Sequence, residues 1–276
     1  GRLRCELLLS CVDSLETRKF LNEAIWRLGI PWIDAAVAPS ESLVRISVYQ
    51  PESNAPCMEC SWDSRHYAQI HESFSCTEET KVFPTNGPAY LGAAAAAVQA
   101  SEAARILGGE TPEGGKELIL DVRSWKSLVA YRVRSPNCRF DHQTWELIPF
   151  PSDLGHTTVG DLFSFGRSLF KNNSTISIRA QSCYFIKNLV CPRCGSVKKI
   201  FRLENRISQG ELQCPNCLKK TRMIPGNPGL IREIRSSLSS TKVESLLLSD
   251  LGFMEGDVVS ILEGSRACHV ILEEKR

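Results

Sequence analysis

Glu6-Leu7-Leu8-Leu9-Ser10-Cys11-Val12-Asp13-Ser14-Leu15-Glu16-Thr17-Arg18-Lys19-Phe20-Leu21-Asn22-Glu23 changes its hydrophobic period partway along. Residues 6–10 form an apolar run short enough for a buried strand. From Leu15 onward, Phe20, Leu21, Ala24, Ile25 and Leu28 recur near helical spacing, and Gly29 and Pro31 stop the helix. Residues 32–37 read as a second strand. Residues 43–49 alternate apolar with polar positions and read as a third. Strand, helix, strand in that order predicts an α/β domain with helices packed on a sheet.

Farther along, residues 62–84 are polar and irregular, with a short helix expected over 64–71. An Ala-rich helix follows over 87–107, then strands over 117–122 and 127–133. Residues 151–156 read as a linker, which divides the chain into domains 1–150 and 151–276. The second is expected to be smaller and β-rich, ending in a hairpin of residues 257–262 and 268–272.

At 276 residues the chain has room for two domains. Its 42% hydrophobic and 23% charged residues are ordinary for a soluble protein. A net charge of +2 is too small to announce nucleic acid or membrane as a partner. The longest apolar stretch, 91–107, is interrupted by Gln99, Ser101, Glu102 and Arg105, so no membrane span is expected. With no visible signal peptide the expected location is cytoplasmic, and an initial Gly1 suggests a processed chain or a fragment.

Cysteine is the sharpest signal, with 12 in the chain. Cys57 and Cys60, Cys191 and Cys194, and Cys214 and Cys217 are C-x-x-C pairs, and Cys138 stands four positions before His142. Two thiols on one tight turn suit tetrahedral zinc. A disulfide framework is the alternative, and a reducing cytosol argues against it. Cys57, Cys60, Cys138 and His142 make one candidate site, with Asp141 in reserve as fourth ligand. Cys191-Pro-Arg-Cys194-Gly195 and Cys214-Pro-Asn-Cys217, 19 residues apart, have the spacing of a zinc ribbon. Lys198, Lys199, Arg202, Arg206, Lys219, Lys220 and Arg222 surround it, which offsets thiolate charge. Glu204 and Glu211 dilute any positive stripe, and nucleic acid is not expected as the partner.

Asp13 after a strand, Thr17-Arg18, then Asn22, Leu28-Gly-Ile-Pro31, and Pro56-Cys57-Met-Glu-Cys60 come in an order that resembles the ThiF/MoeB/HesA proteins and ubiquitin-activating enzymes. The resemblance covers roughly the first half of the chain, down to Cys138. It implies a partial Rossmann-like adenylation domain, and ATP with Mg²⁺ as the reactant and cofactor of the whole protein. The reaction implied is adenylation of the C-terminal carboxylate of a ubiquitin-like or sulfur-carrier protein. A homodimer is also open.

By this resemblance Asp13 holds magnesium beside the triphosphate, a placement that suits the carboxyl end of a strand. Capping the next helix is the competing role for the same residue. Arg18 and Asn22, a turn apart, are candidates to line the nucleotide site, with surface or packing roles equally open. Cys76, in Phe74-Ser75-Cys76-Thr77, is the candidate nucleophile that accepts the acyl group as a thioester. Many relatives close the first zinc site with a second C-x-x-C, whereas here His142 stands in the last position. They also carry a Gly-rich phosphate-binding turn that nothing before Asp13 supplies, so this chain alone is expected to be inactive. The alternative function is a non-catalytic zinc scaffold that recruits a protein or nucleic acid.

Overall fold

Ser14 begins the first helix because its Oγ accepts the Thr17 amide at 3.1 Å, and Gly29 ends it in a left-handed conformation at φ 67°. The computed structural model describes residues 5–72, 88–171, 175–181, 183–217, 221–227, 229–237 and 241–274. The chain separates into two compact units, Leu3–Trp145 and the remainder from Glu146.

In the first unit the elements run β1 (Leu8–Ser10), α1 (Leu15–Leu28), β2 (Trp32–Ala38), β3 (Leu43–Tyr49), α2 (Ser64–Glu72), α3 (Ala89–Leu107), β4 (Lys116–Asp121) and β5 (Lys126–Tyr131). The five strands form one sheet in sequence order. β1 and β2 are parallel across α1, with Ser10 opposite Asp34, and every later pairing is antiparallel. Side chains alternate across the sheet. Ile33, Val44, Ile46 and Val48 pack with Leu91, Ala95 and Ala103 of α3. Trp32 and Tyr49, of opposite parity, pack with Ile25 of α1 and with Met58. Alanine suits α3 because small side chains let the helix lie close to the strands. Gln99 interrupts its apolar pattern for a reason: buried, its amide donates to Ser10 O (3.0 Å) and Ile33 O (2.9 Å). One side chain thereby ties helix to sheet beside the end of β1.

The second unit opens with β6 (Leu147–Ser152), α4 (Val159–Phe170) and β7 (Ser177–Ala180). An insertion follows, with β8 (Phe185–Val190), β9 (Val197–Leu203), β10 (Ile224–Pro225) and β11 (Leu230–Ile231). Then β12 (Ile234–Arg235), α5 (Thr241–Glu244), β13 (Val258–Glu263) and β14 (Arg266–Glu274) complete the unit. Five strands form a sheet in the order β12-β7-β13-β14-β6, parallel only between β14 and β6. α4 starts at a reciprocal Thr158–Asp161 capping box and buries Leu162 and Phe163 with Val259, Ile261, Val270 and Leu272. The insertion has a small core of its own, Ile186, Leu189 and Met223 around Cys191 and Cys214.

The segment with the two later C-x-x-C pairs, expected to be a zinc ribbon, is therefore an insertion within a larger sheet-and-helix unit. The division falls between residues 145 and 146, and Pro151, expected in a linker, lies in β6. Proline is tolerated there because β6 is an edge strand, paired only with β14 among the described residues. The expected hairpin near the end of the chain is β13 with β14.

Candidate functional site

The first C-x-x-C sits on a single 3₁₀ turn, Met58–Ser61, that follows Cys57 directly. Such a turn points both thiols the same way, and the loop beyond β5 brings Cys138 and His142 to them. Cys57 Sγ lies 3.7 Å from Cys138 Sγ and 3.8 Å from Cys60 Sγ, and Cys60 Sγ lies 3.1 Å from His142 Nε2. All four donor atoms fall within 4.8 Å of one another, a set able to hold a metal ion. His142 reaches it from a left-handed backbone at φ 58°, its ring edge-on to Trp26. Contact with Cys57 foremost holds the Cys60 thiol well below the usual thiol value. The same contact, with burial, pushes Cys57 well up.

Two residues of α1 position this centre. Asn22, fully buried, accepts the Met58 amide at 3.1 Å and donates to Glu59 at 3.0 Å. Tyr67 holds the other Glu59 oxygen at 2.8 Å. Arg27 grips Asp141 with two bonds of 2.7 and 2.8 Å and donates to Gln143 O at 3.0 Å. Asp141, the reserve ligand, is thus engaged elsewhere, and His142 supplies the fourth donor. Sequence reasoning passed over Arg27, Glu59 and Tyr67. The signal it had was a carboxylate between two thiols, an odd choice unless the carboxylate is itself bonded.

Asp13 lies exposed beyond the carboxyl end of β1, in the turn before α1. Ser14 supplies the helix cap. Arg18 is turned inward, where its Nε meets buried Asp34 at 3.1 Å. Ser10 Oγ donates to the same carboxylate at 2.6 Å and accepts from Trp32 Nε1 at 2.8 Å. Burial raises the Asp34 pKa above the usual carboxylate value, with Arg18 opposing it. Arg18 and Asn22 therefore lie in the packed interior, whereas Asp13 faces solvent. Cys76 lies outside the described residues.

In the second unit, Cys191 and Cys194 lie between β8 and β9, and Cys214 and Cys217 on a second knuckle. Cys191 Sγ is 3.8 Å from Cys217 Sγ, and Cys194 Sγ is 3.6 Å from Cys214 Sγ. These four thiols form a second set able to hold a metal ion. Gly195 is left-handed at φ 71° and donates its amide to Cys191 O at 2.9 Å, which explains a glycine after the second cysteine. Ser196 Oγ, 3.3 Å from Cys214 Sγ, is the main cause holding that thiol down to about 6. Two nearby cations are used internally: Lys198 Nζ donates to Glu211 O, and Arg202 pairs with the Glu211 carboxylate at 2.7 Å.

Among the described residues no helix is long and apolar enough to cross a membrane. The sequence model of the ThiF family matches residues 3–140. The molybdopterin-synthase adenylyltransferase of Escherichia coli (strain K12) is 26% identical over 134 residues, 48% of this chain and 49% of that protein. The chain thus spans about half the length of that curated relative. Crystal structures of E. coli MccB with ATP and with succinimide are 20% and 19% identical, with TM-scores of 0.35. Each alignment covers 49% of this chain and 38% of MccB.

Proposed function

The chain belongs to the ThiF family, and on that premise we propose that the whole protein adenylates the C-terminal carboxylate of a sulfur-carrier or ubiquitin-like protein. A carboxylate oxygen of the carrier attacks the α-phosphorus of ATP. A C–O–P anhydride forms, and the bond to pyrophosphate breaks. The observation that carries this reading is the placement of Asp13: exposed beyond the carboxyl end of β1, with the capping role already taken by Ser14. A free carboxylate at that end of an α/β strand suits a bound cation and phosphates. Asp13 would hold magnesium, which when bound offsets triphosphate charge.

Arg18 and Asn22 support the site from beneath. Arg18 fixes β2 under the end of β1 through Asp34, and Asn22 joins α1 to the first cysteine turn. Both four-donor sets suit zinc: three thiols with one imidazole, and four thiols. Each set is closed by protein donors, so both ions would be structural. Cys76 would then accept the acyl group, its thiolate attacking the carbonyl carbon as the bond to AMP breaks.

The test is exchange of labelled pyrophosphate into ATP by the whole protein. Exchange that requires a carrier ending in a free carboxylate is expected. Cys76→Ala should preserve exchange and lose the reductant-sensitive adduct with the carrier. An adduct that survives this substitution would move the acyl group to another acceptor. Absence of exchange with every carrier tried would remove the adenylation reading.

A further inference from the structure

β11 and β12 are consecutive in the chain, yet each is the edge of a different sheet of the second unit. β11 pairs only with β8 and β12 only with β7 among the described residues. Edge strands leave backbone donors and acceptors unpaired, and natural proteins usually cover or blunt them. Here they border a cavity of about 530 Å³. Its apolar lining includes Phe201, Leu230, Ile231 and Val243, and Leu230 is 44% exposed.

The charge around this cavity is one-sided. Arg179, Lys187, Arg232 and Arg235 line it against a single carboxylate, Glu233. Glu233 already accepts from Arg179 at 3.2 Å and from Arg235 at 2.8 Å. Lys187 and Arg232 have no ion-pair or hydrogen-bond partner for their side chains among the described residues. The Nε–H of Arg179 is buried without an acceptor. The cavity therefore offers cations and donors in excess over an apolar floor.

We propose that this groove binds an extended segment of a partner polypeptide that carries both acidic and apolar side chains. Its backbone would pair with the exposed edge of β11 or β12, and its apolar side chains would cover Leu230, Ile231 and Val243. Its carboxylates would meet Lys187 and Arg232. Strand addition of this kind takes affinity from main-chain bonds and specificity from alternate side chains. A nucleic acid fits less well. Phe201, the aromatic residue of the lining, already has a ring face stacked on Phe185, with centroids 6.2 Å apart, and is not free to stack a base on that side.

Panning a display library of peptides of about a dozen residues on the full chain tests this. The winning sequence is then made as a labelled synthetic peptide and its binding followed by fluorescence anisotropy. Alternating acidic and apolar residues are expected, with affinity that falls at raised ionic strength. Lys187→Glu with Arg232→Glu, both changes on exposed side chains, should weaken binding about tenfold or more. Leu230→Ser should weaken it without altering charge. Metal content and circular dichroism of each variant establish that it remains folded. Selection of basic peptides, no selected binder, or affinity unchanged in both variants would overturn the proposal. So would full displacement of the peptide by single-stranded oligonucleotide, which would assign the groove to nucleic acid.

Discussion

Asn22 has two roles open to it in the sequence, nucleotide contact or packing, and its environment separates them by energy. Its amide is buried and bonded at both ends, to the Met58 N–H and to the Glu59 carboxylate. Asn22→Ala would leave a buried donor unmet and strip one of two neutral donors from a buried carboxylate. The expected cost is about 2 to 4 kcal/mol in chemical denaturation, accompanied by weaker metal retention at the first centre. A nucleotide contact alone would leave stability and metal content unchanged. Arg18 follows the same logic, since its partner Asp34 is 1% exposed and pays for burial by a raised pKa. Residue type and spacing singled out these positions, and the direction each side chain takes shows which groups it touches. That direction depends on strand register and on partners such as Glu59 and Asp34 that lie far away in sequence.

Among the elements, α1 and the strands around it were legible because a buried strand, a Ser cap and a Gly stop are local signals. β6 was not. Pro151 read as the start of a linker, and only the edge position of β6 beside β14, distant in the chain, makes it a strand. The ribbon pairs were legible from spacing, whereas the sheet that the ribbon interrupts was not, because β7 and β12 are separated by the whole insertion. Packing of α4 on that sheet has its own test. A Cβ at Gly166 would lie 2.7 Å from Ile261 Cγ2 and 2.8 Å from Ile176 Cδ1. Gly166→Val should therefore lower stability by about 1 to 3 kcal/mol through overpacking, seen as a reduced unfolding midpoint. The core around Cys191 and Cys214 is distinct from that of α4, which takes in only the far ends of β8 and β9 at Phe185 and Leu203. Removing metal with a chelator should raise amide exchange in β8 and β9 while β13 and β14 stay protected. Equal loss of protection in all four would show that the ribbon metal also sustains the larger sheet.

For the molecule as a whole, the two units carry different features. The first carries the family-matched residues and an exposed carboxylate at a strand end, and the second carries a cation-lined groove and an insertion whose four thiols could hold a metal ion. The central claim is that Asp13 serves adenylation. Its substitution should cost little stability, because Ser14 caps the helix and Asp13 is exposed. The decisive measurement is ATP–pyrophosphate exchange by the whole protein carrying Asp13→Ala. Its unfolding free energy is expected to stay within about 1 kcal/mol of the parent. Exchange should fall on the order of 100-fold, with the content of both metal centres unchanged. Exchange at the parental rate in a folded Asp13→Ala protein would contradict the account.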